Sequence, residues 1–155
     1  MEKVAFGGGC FWCTEAVFKM LKGVEKVFPG YAGSPKAEVA YIEYEKDMVS
    51  FRDLLTVFFA THDPTILNRQ GNDIGPEYRS VIFFTTPEQE AEAGRYIKSI
   101  PGAVTELALL DKFIEAENYH RNYYEMHKDT PYCQIIINPK LEKVQKKFGE
   151  LLLKK

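Results

Sequence analysis

The chain has 155 residues, 45% of them hydrophobic and 14% aromatic, and a formal net charge of −2. That length fits a single domain over 1–155 able to bury a core, and the composition excludes a disordered chain. A nearly balanced charge carries no single-sign field and argues against a dedicated nucleic-acid binder. There is no secretory pattern, and no apolar stretch approaches the ~20 residues of a membrane helix, so a cytoplasmic protein with no membrane partner is expected. Length and composition permit a monomer.

The first strand is expected over 4–6. Gly7, Gly8 and Gly9 form a turn that brings backbone close to other groups. A helix over 11–22 follows, with Ala16, Val17, Met20 and Leu21 at helical spacing and Gly23 at its exit. Strands are expected over 24–28, ended by Pro29-Gly30, and over 38–44. Ser50 with Asp53 forms a capping box for a helix through Leu54, Leu55, Phe58 and Phe59, stopped by His62-Asp63-Pro64. The polar stretch 65–76 is long for a loop, which marks it as functional or mobile. A strand over 81–84 precedes a second capping box, Thr86 with Gln89, and a helix to about 99 that Pro101-Gly102 ends. A strand over 104–110, a partly helical segment over 115–127 and a last strand over 133–137 follow. Asn138-Pro139 then opens an amphipathic helix carrying Leu141, Val144, Phe148, Leu151 and Leu152, whose wet face holds Lys143, Lys146, Lys147, Lys154 and Lys155. Strands and helices mix without strict alternation. An α+β fold is expected, a mixed twisted sheet flanked by helices with a ferredoxin-like core.

The three cysteines are Cys10, Cys13 and Cys133. An odd number in such a chain argues for reactive thiols or a metal site rather than a disulfide framework. Cys10 stands between the glycine turn and a helix start. Amide donors and the helix dipole there stabilise an anion, so a lowered thiol pKa and a nucleophilic thiolate are expected. The alternative is a structural cysteine beside two core aromatics. Cys10 and Cys13 form a C-x-x-C pair, a weak redox signal without a βαβ context. A zinc site would need about four ligands. Cys133 and one of His62, His120 or His127 could be recruited on paper, but no second close ligand pair exists, so no metal is expected.

Gly9-Cys10-Phe11-Trp12 resembles the signature of the A-type peptide methionine sulfoxide reductases. The resemblance spans nearly the whole chain. It includes Gly30-Tyr31-Ala32-Gly33, Ala37-Glu38-Val39, the run from His62-Asp63-Pro64-Thr65 through Leu67–Asp73 to Gly75 and Tyr78-Arg79-Ser80, and Glu115–His120 with Tyr123 and Tyr132-Cys133. It implies thiolate attack on the sulfur of methionine S-sulfoxide, in proteins, peptides or the free amino acid. Methionine is released and Cys10 becomes a sulfenic acid. A second cysteine condenses with it, and thioredoxin or another dithiol reduces the disulfide. No bound cofactor is implied. Glu38 occupies the position of the general acid, and a sheltered carboxyl there would have a raised pKa. Phe11 and Trp12 would hold the sulfoxide methyl group, Asn118 would line the pocket rim, and Tyr123 would bond the sulfoxide oxygen. Cys133 is favoured as the resolving thiol, with Cys13 as the alternative.

The chain departs from that pattern between Gly33 and Glu38, where family members carry about ten more residues, including a second substrate tyrosine. Tyr31 or Tyr41 are the candidates to replace it. Lys36 falls near Glu38, where its charge would lower the carboxyl pKa. Asn118 stands where many relatives have aspartate. Two other classes remain: a general disulfide oxidoreductase using Cys10 and Cys13, and a non-catalytic module that binds oxidised methionine.

Overall fold

The computed structural model describes residues 1–153. In chain order its main elements are β1 (Glu2–Gly7), α1 (Phe11–Lys19), β2 (Val24–Ala32), β3 (Ala37–Tyr44), α2 (Phe51–Ala60), β4 (Arg69–Gln70), β5 (Asp73–Ile74), β6 (Val81–Phe84), α3 (Pro87–Lys98), β7 (Glu106–Leu109), β8 (Phe113–Glu115), α4 (Tyr123–Met126) and α5 (Asn138–Lys147). Six strands form one sheet in the order β7-β6-β1-β3-β2-β8, with β4 and β5 as a separate small hairpin. β6 and β7 run parallel, and the other neighbours in the large sheet run antiparallel. The fold is α+β with a mixed sheet. Among the described residues no helix is long and apolar enough to cross a membrane.

Side-chain alternation explains how the sheet is covered. Val4 and Phe6 on β1, with Ala40, Ile42 and Tyr44 on β3, point toward the helices and pack with Val17, Phe18, Leu54, Leu55 and Phe58. Ala5, Val39, Val81 and Phe83 occupy the other face with Ala32 and Ala37. Both faces are buried, so central strands are apolar at consecutive positions. Phe6 stacks on Phe18 at 5.0 Å between centroids, which fixes α1 over β1.

Both capping residues act as expected. The Ser50 hydroxyl accepts from Asp53 N–H at 3.0 Å, and Asp53 accepts in return from Ser50 N–H. The Thr86 hydroxyl accepts from Gln89 N–H, whereas the Gln89 side chain reaches Thr85 N–H instead of Thr86.

Several expectations are corrected. The segment Cys133–Ile137 is a π-helix that runs directly into α5, not a strand. Asn138 N–H bonds back to the Cys133 carbonyl. Pro139 has no N–H to offer the Ile135 carbonyl and crowds it, and the wider turn accommodates this. Cys133, Ile137, Leu141 and Val144 then share one buried face, while Ile135 and Ile136 are exposed. β2 continues through Pro29-Gly30 because Pro29 still accepts from Ala116 N–H and Gly30 leaves room for the Ile114 carbonyl of β8. β8 itself was not expected. α1 stops at Lys19, and Leu21 instead bridges Leu152, so Leu151 and Leu152 lie beyond α5. Lys154 and Lys155 lie outside the described residues.

Candidate active site

The site forms where β1 hands the chain to α1. Cys10 is the residue before the helix, with extended backbone (φ −68°, ψ 134°), and its carbonyl accepts from Cys13 N–H at 3.1 Å. The glycine turn is required by close approach. A Cβ on Gly7 would sit 2.9 Å from the Glu38 carbonyl oxygen, and one on Gly8 would sit 2.8 Å from the His62 ring. His62 is held in turn. Its Nδ1 pairs with the Phe58 carbonyl and its Nε2 with the Ser80 hydroxyl, each at 2.7 Å. Burial pulls its pKa down to about 4, so the ring is neutral, with Nδ1 donating to Phe58 and Nε2 accepting from Ser80. Gln70, in the long polar stretch, pairs through both amide atoms with the Asp63 backbone and packs against Gly9.

Cys10 is 9% exposed and clusters with Phe11 and Ala116. Its position at the helix start is as expected, but its thiol pKa is not. Burial pushes the thiol above its ordinary value, and Cys13 and Glu38 push the same way; the Trp12 N–H and the Tyr132 hydroxyl pull it back in part. The helix-end donors act on a sulfur that has lost its water, and desolvation wins.

Glu38 meets the expectation of a perturbed acid. It lies on the helix-facing side of β3, and its Oε1 accepts from Phe11 N–H at 3.2 Å. Burial pushes its pKa up to about 7, aided by Asp73 and Glu77, against the lowering effect of the Phe11 N–H and the Cys10 thiol. Lys36 does not play the part expected of it. It is exposed on the tight turn joining β2 to β3 and is not among the groups that shift Glu38.

Phe11 is buried, with its ring 5.5 Å from Tyr31 and 5.0 Å from His120. Trp12 is half-buried and donates from Nε1 to His120 Nδ1 at 3.1 Å. Tyr123 stacks on Trp12 at 3.7 Å with 6° between planes, and His127 stacks on the other side of Tyr123. Glu15, buried on α1, accepts from Asn122 N–H at 3.1 Å and so ties the Tyr123 segment to the cysteine helix. Asn118 is exposed in a short 3-10 turn, Asn118–His120, where its carbonyl accepts from Arg121 N–H.

Of the two candidate tyrosines, Tyr31 lies on the Glu38 face of the sheet and Tyr41 does not. Tyr31 pairs in register with Glu38 across β2 and β3, so both side chains share one face. Tyr41 points to the opposite face, stacks on Phe113 and donates to Glu43. Three further residues join the site without a role assigned from sequence: Tyr78, whose pKa burial raises to about 12, aided by Glu38; His120; and Tyr132. All three fall inside motifs that carry the family resemblance, which was the signal available for them.

Cys133 is fully buried in the main core at the start of the π-helix. All three cysteines are free thiols. Cys13 acts electrostatically on Cys10, and Cys133 acts on Cys13. A cleft of about 570 Å³ reaches Cys10 and Cys13, lined also by Gln70, Asp73, Tyr132 and Ile136 among others.

Comparison with known proteins places the chain in a family. The family model described as "Peptide methionine sulfoxide reductase" matches residues 2–41 and 34–152, two pieces that overlap at the short β2–β3 turn. The chain is 46% identical to "Peptide methionine sulfoxide reductase MsrA" of Acinetobacter baumannii (strain AYE), over 98% of this chain and 99% of the relative. It is 44% identical to the MsrA of Sulfolobus acidocaldarius, over 97% of each. Among solved structures, reduced Mxr1 from Saccharomyces cerevisiae superposes with a TM-score of 0.79 at 26% identity, covering 85% of this chain and 88% of Mxr1. Mxr1 in complex with Trx2 superposes at 0.61 with 25% identity, over 75% of this chain and 81% of Mxr1. The chain belongs to the peptide methionine sulfoxide reductase family, oxidoreductases that act on methionine sulfoxide.

Proposed function

We propose that this chain, as one catalytic domain, reduces methionine S-sulfoxide through a sulfenic acid on Cys10. The observation that carries this reading is the pairing of a buried thiol at a helix start with a carboxyl group whose pKa sits near 7. In the resting site the proton is on the thiol and Glu38 is its acceptor. When the sulfoxide sulfur enters, Cys10 Sγ bonds to it while the thiol proton passes through Glu38 to the sulfoxide oxygen; the resulting hydroxyl then transfers from the substrate sulfur to Cys10 Sγ as the S–O and Sγ–S bonds break. Cys10 ends as sulfenic acid and methionine leaves. The substrate is reduced by two electrons and Cys10 is oxidised by two.

Phe11 and Trp12 supply an apolar slot for the methyl group, which is what separates the two sulfoxide epimers. Tyr123, stacked on Trp12, and Tyr31, beside Glu38, are the hydroxyls we assign to the sulfoxide oxygen, with Asn118 at the rim. Peptide-bound and free methionine sulfoxide would use the same slot.

The sulfenic acid then condenses with a second thiol, expelling water. Cys133 was favoured on sequence. Its complete burial behind Cys13, and the position of Cys13 one helical turn from Cys10, favour Cys13 as the first partner, with Cys133 next to exchange. Thioredoxin returns the thiols to the reduced state, a role supported by the Mxr1–Trx2 complex. No bound cofactor is part of this cycle. Three free thiols suit a reducing compartment such as the cytoplasm. We also take the order β6-β1-β3-β2, with α1 and α2 on one face, as support for a ferredoxin-like core.

The test mixes the protein with a peptide carrying methionine S-sulfoxide and a dithiol. Methionine should form with the native protein and not with Cys10→Ser. Insulin-type disulfide reduction without sulfoxide turnover would identify a general oxidoreductase instead, and sulfoxide binding without thiol loss would identify a binding module.

A further inference from the structure

Desolvation leaves the Cys10 site with a shortage. A sulfur nucleophile must carry negative charge as it attacks, yet Cys10 is almost out of contact with water and faces the Glu38 carboxyl, which is an acceptor rather than a donor. Donors are therefore needed beyond the amides of α1. The side chain best placed to supply one is Tyr132. Its hydroxyl lies 3.5 Å from Cys13 Sγ, in hydrogen-bonding contact, and it acts on the Cys10 thiol as well. The ring packs edge-on against Trp12, at 5.5 Å and 82° between planes, and belongs to the cluster of Cys10 and Phe11. A phenol clamped this way has little rotational freedom to lose on making the bond.

We propose that Tyr132 is a catalytic residue whose hydroxyl donates a hydrogen bond to whichever sulfur carries the charge, first Cys10 during attack on the sulfoxide and then Cys13 during disulfide formation. The proposal rests on the assignment of Cys10 as nucleophile and adds a donor that the reaction needs twice. Its position between two thiols suits this double duty, since both charged sulfurs must be served without rebuilding the site. Burial and the neighbouring thiols push the Tyr132 pKa well above its ordinary value, so the phenol keeps its proton and remains a donor. Tyr132 is also the residue that enters the π-helix. The unusual turn there fixes where the ring leaves the backbone, which links the hydroxyl's position to the segment carrying Cys133.

The experiment follows alkylation of Cys10 in the fully reduced protein with iodoacetamide, from pH 6 to 10, resolved by peptide mass spectrometry. Tyr132→Phe keeps the ring against Trp12 and removes only the donor. Cys10 alkylation should slow about tenfold at each pH below its titration, the worth of one hydrogen bond to a charged group. Replacing Tyr132 with 3,5-difluorotyrosine, a stronger donor of nearly the same size, should shift the profile in the opposite direction. Profiles that superpose on the native protein in both variants overturn the proposal. If Tyr132→Phe does not fold, as the fluorescence of the single tryptophan would report, the difluorotyrosine protein decides alone. The readout needs no sulfoxide. Absence of turnover in the native protein therefore counts against the reductase reading, while the alkylation profiles still judge Tyr132.

Discussion

The Phe11 N–H donates to Glu38 Oε1 across 3.2 Å, joining the first turn of α1 to β3. The start of the helix that follows Cys10 and the carboxyl we propose as acceptor of its proton are thereby tied directly to each other.

The pair should control the pH dependence of turnover. With burial holding the Cys10 thiol protonated and Glu38 titrating near 7, the active form carries one proton shared between them. Below pH 7 Glu38 takes up a second proton and can no longer accept from the thiol. We expect kcat/KM to rise through about pH 7 and then level off. Glu38→Gln should lower kcat at least a hundredfold and abolish that ascending limb. A retained limb in the variant would assign the titration to another group.

The same carboxyl should cost stability. Its pKa is raised in the folded state, from 4.5 to about 7. The cost is absent below pH 4, grows between pH 4.5 and 7 as unfolding releases a proton, and is constant above. Glu38→Gln should therefore unfold at higher denaturant than the native protein at pH 8, by roughly 1–3 kcal/mol, and the difference should vanish at pH 4. His62 works in the acid range. Its folded pKa is depressed to about 4, so its contribution is lost as pH falls from 6.5 through 4.

The two remaining cysteines should separate by chemistry. Cys13→Ser should trap sulfenic acid on Cys10 after one turnover, detectable by dimedone labelling. Cys133→Ser should yield a Cys10–Cys13 disulfide on peptide mapping. A direct Cys10–Cys133 bridge as the first product in the native protein would reverse the order.

The tyrosines should divide by the face they occupy. Tyr31→Phe and Tyr123→Phe should each lower kcat/KM by about tenfold to a hundredfold, as expected for loss of one hydroxyl donor to a developing charge. Tyr41→Phe should leave steady-state kinetics unchanged, because that ring lies on the far side of the sheet against Phe113. An equal loss in Tyr41→Phe would contradict the register of β2 and β3.

Much of this was legible in the sequence for physical reasons. Glycine triplets, capping boxes and Pro-Gly pairs act locally, so the start of α1 and the entries of α2 and α3 could be placed without knowing the fold. Glu38 was legible only through resemblance, because a glutamate on a strand carries no sign of what will desolvate it. The segment 133–137 was misjudged because a run of isoleucines favours a strand by local propensity, and the constraint that makes it helical, Pro139, lies beyond the run. Tyr132 was missed because a tyrosine beside a cysteine looks like packing until the third dimension brings its hydroxyl to two sulfurs.

The burial of the three thiols has a consequence for life among oxidants. Peroxide attacks thiolates, and Cys10 and Cys13, whose thiols burial pushes toward the protonated form, present little target for over-oxidation to sulfinic acid. The enzyme would be spent by the very stress it repairs if its sulfur were permanently ionised at the surface. On the proposed mechanism the charge is called up only when a sulfoxide fills the slot, which spares the sulfur between turnovers.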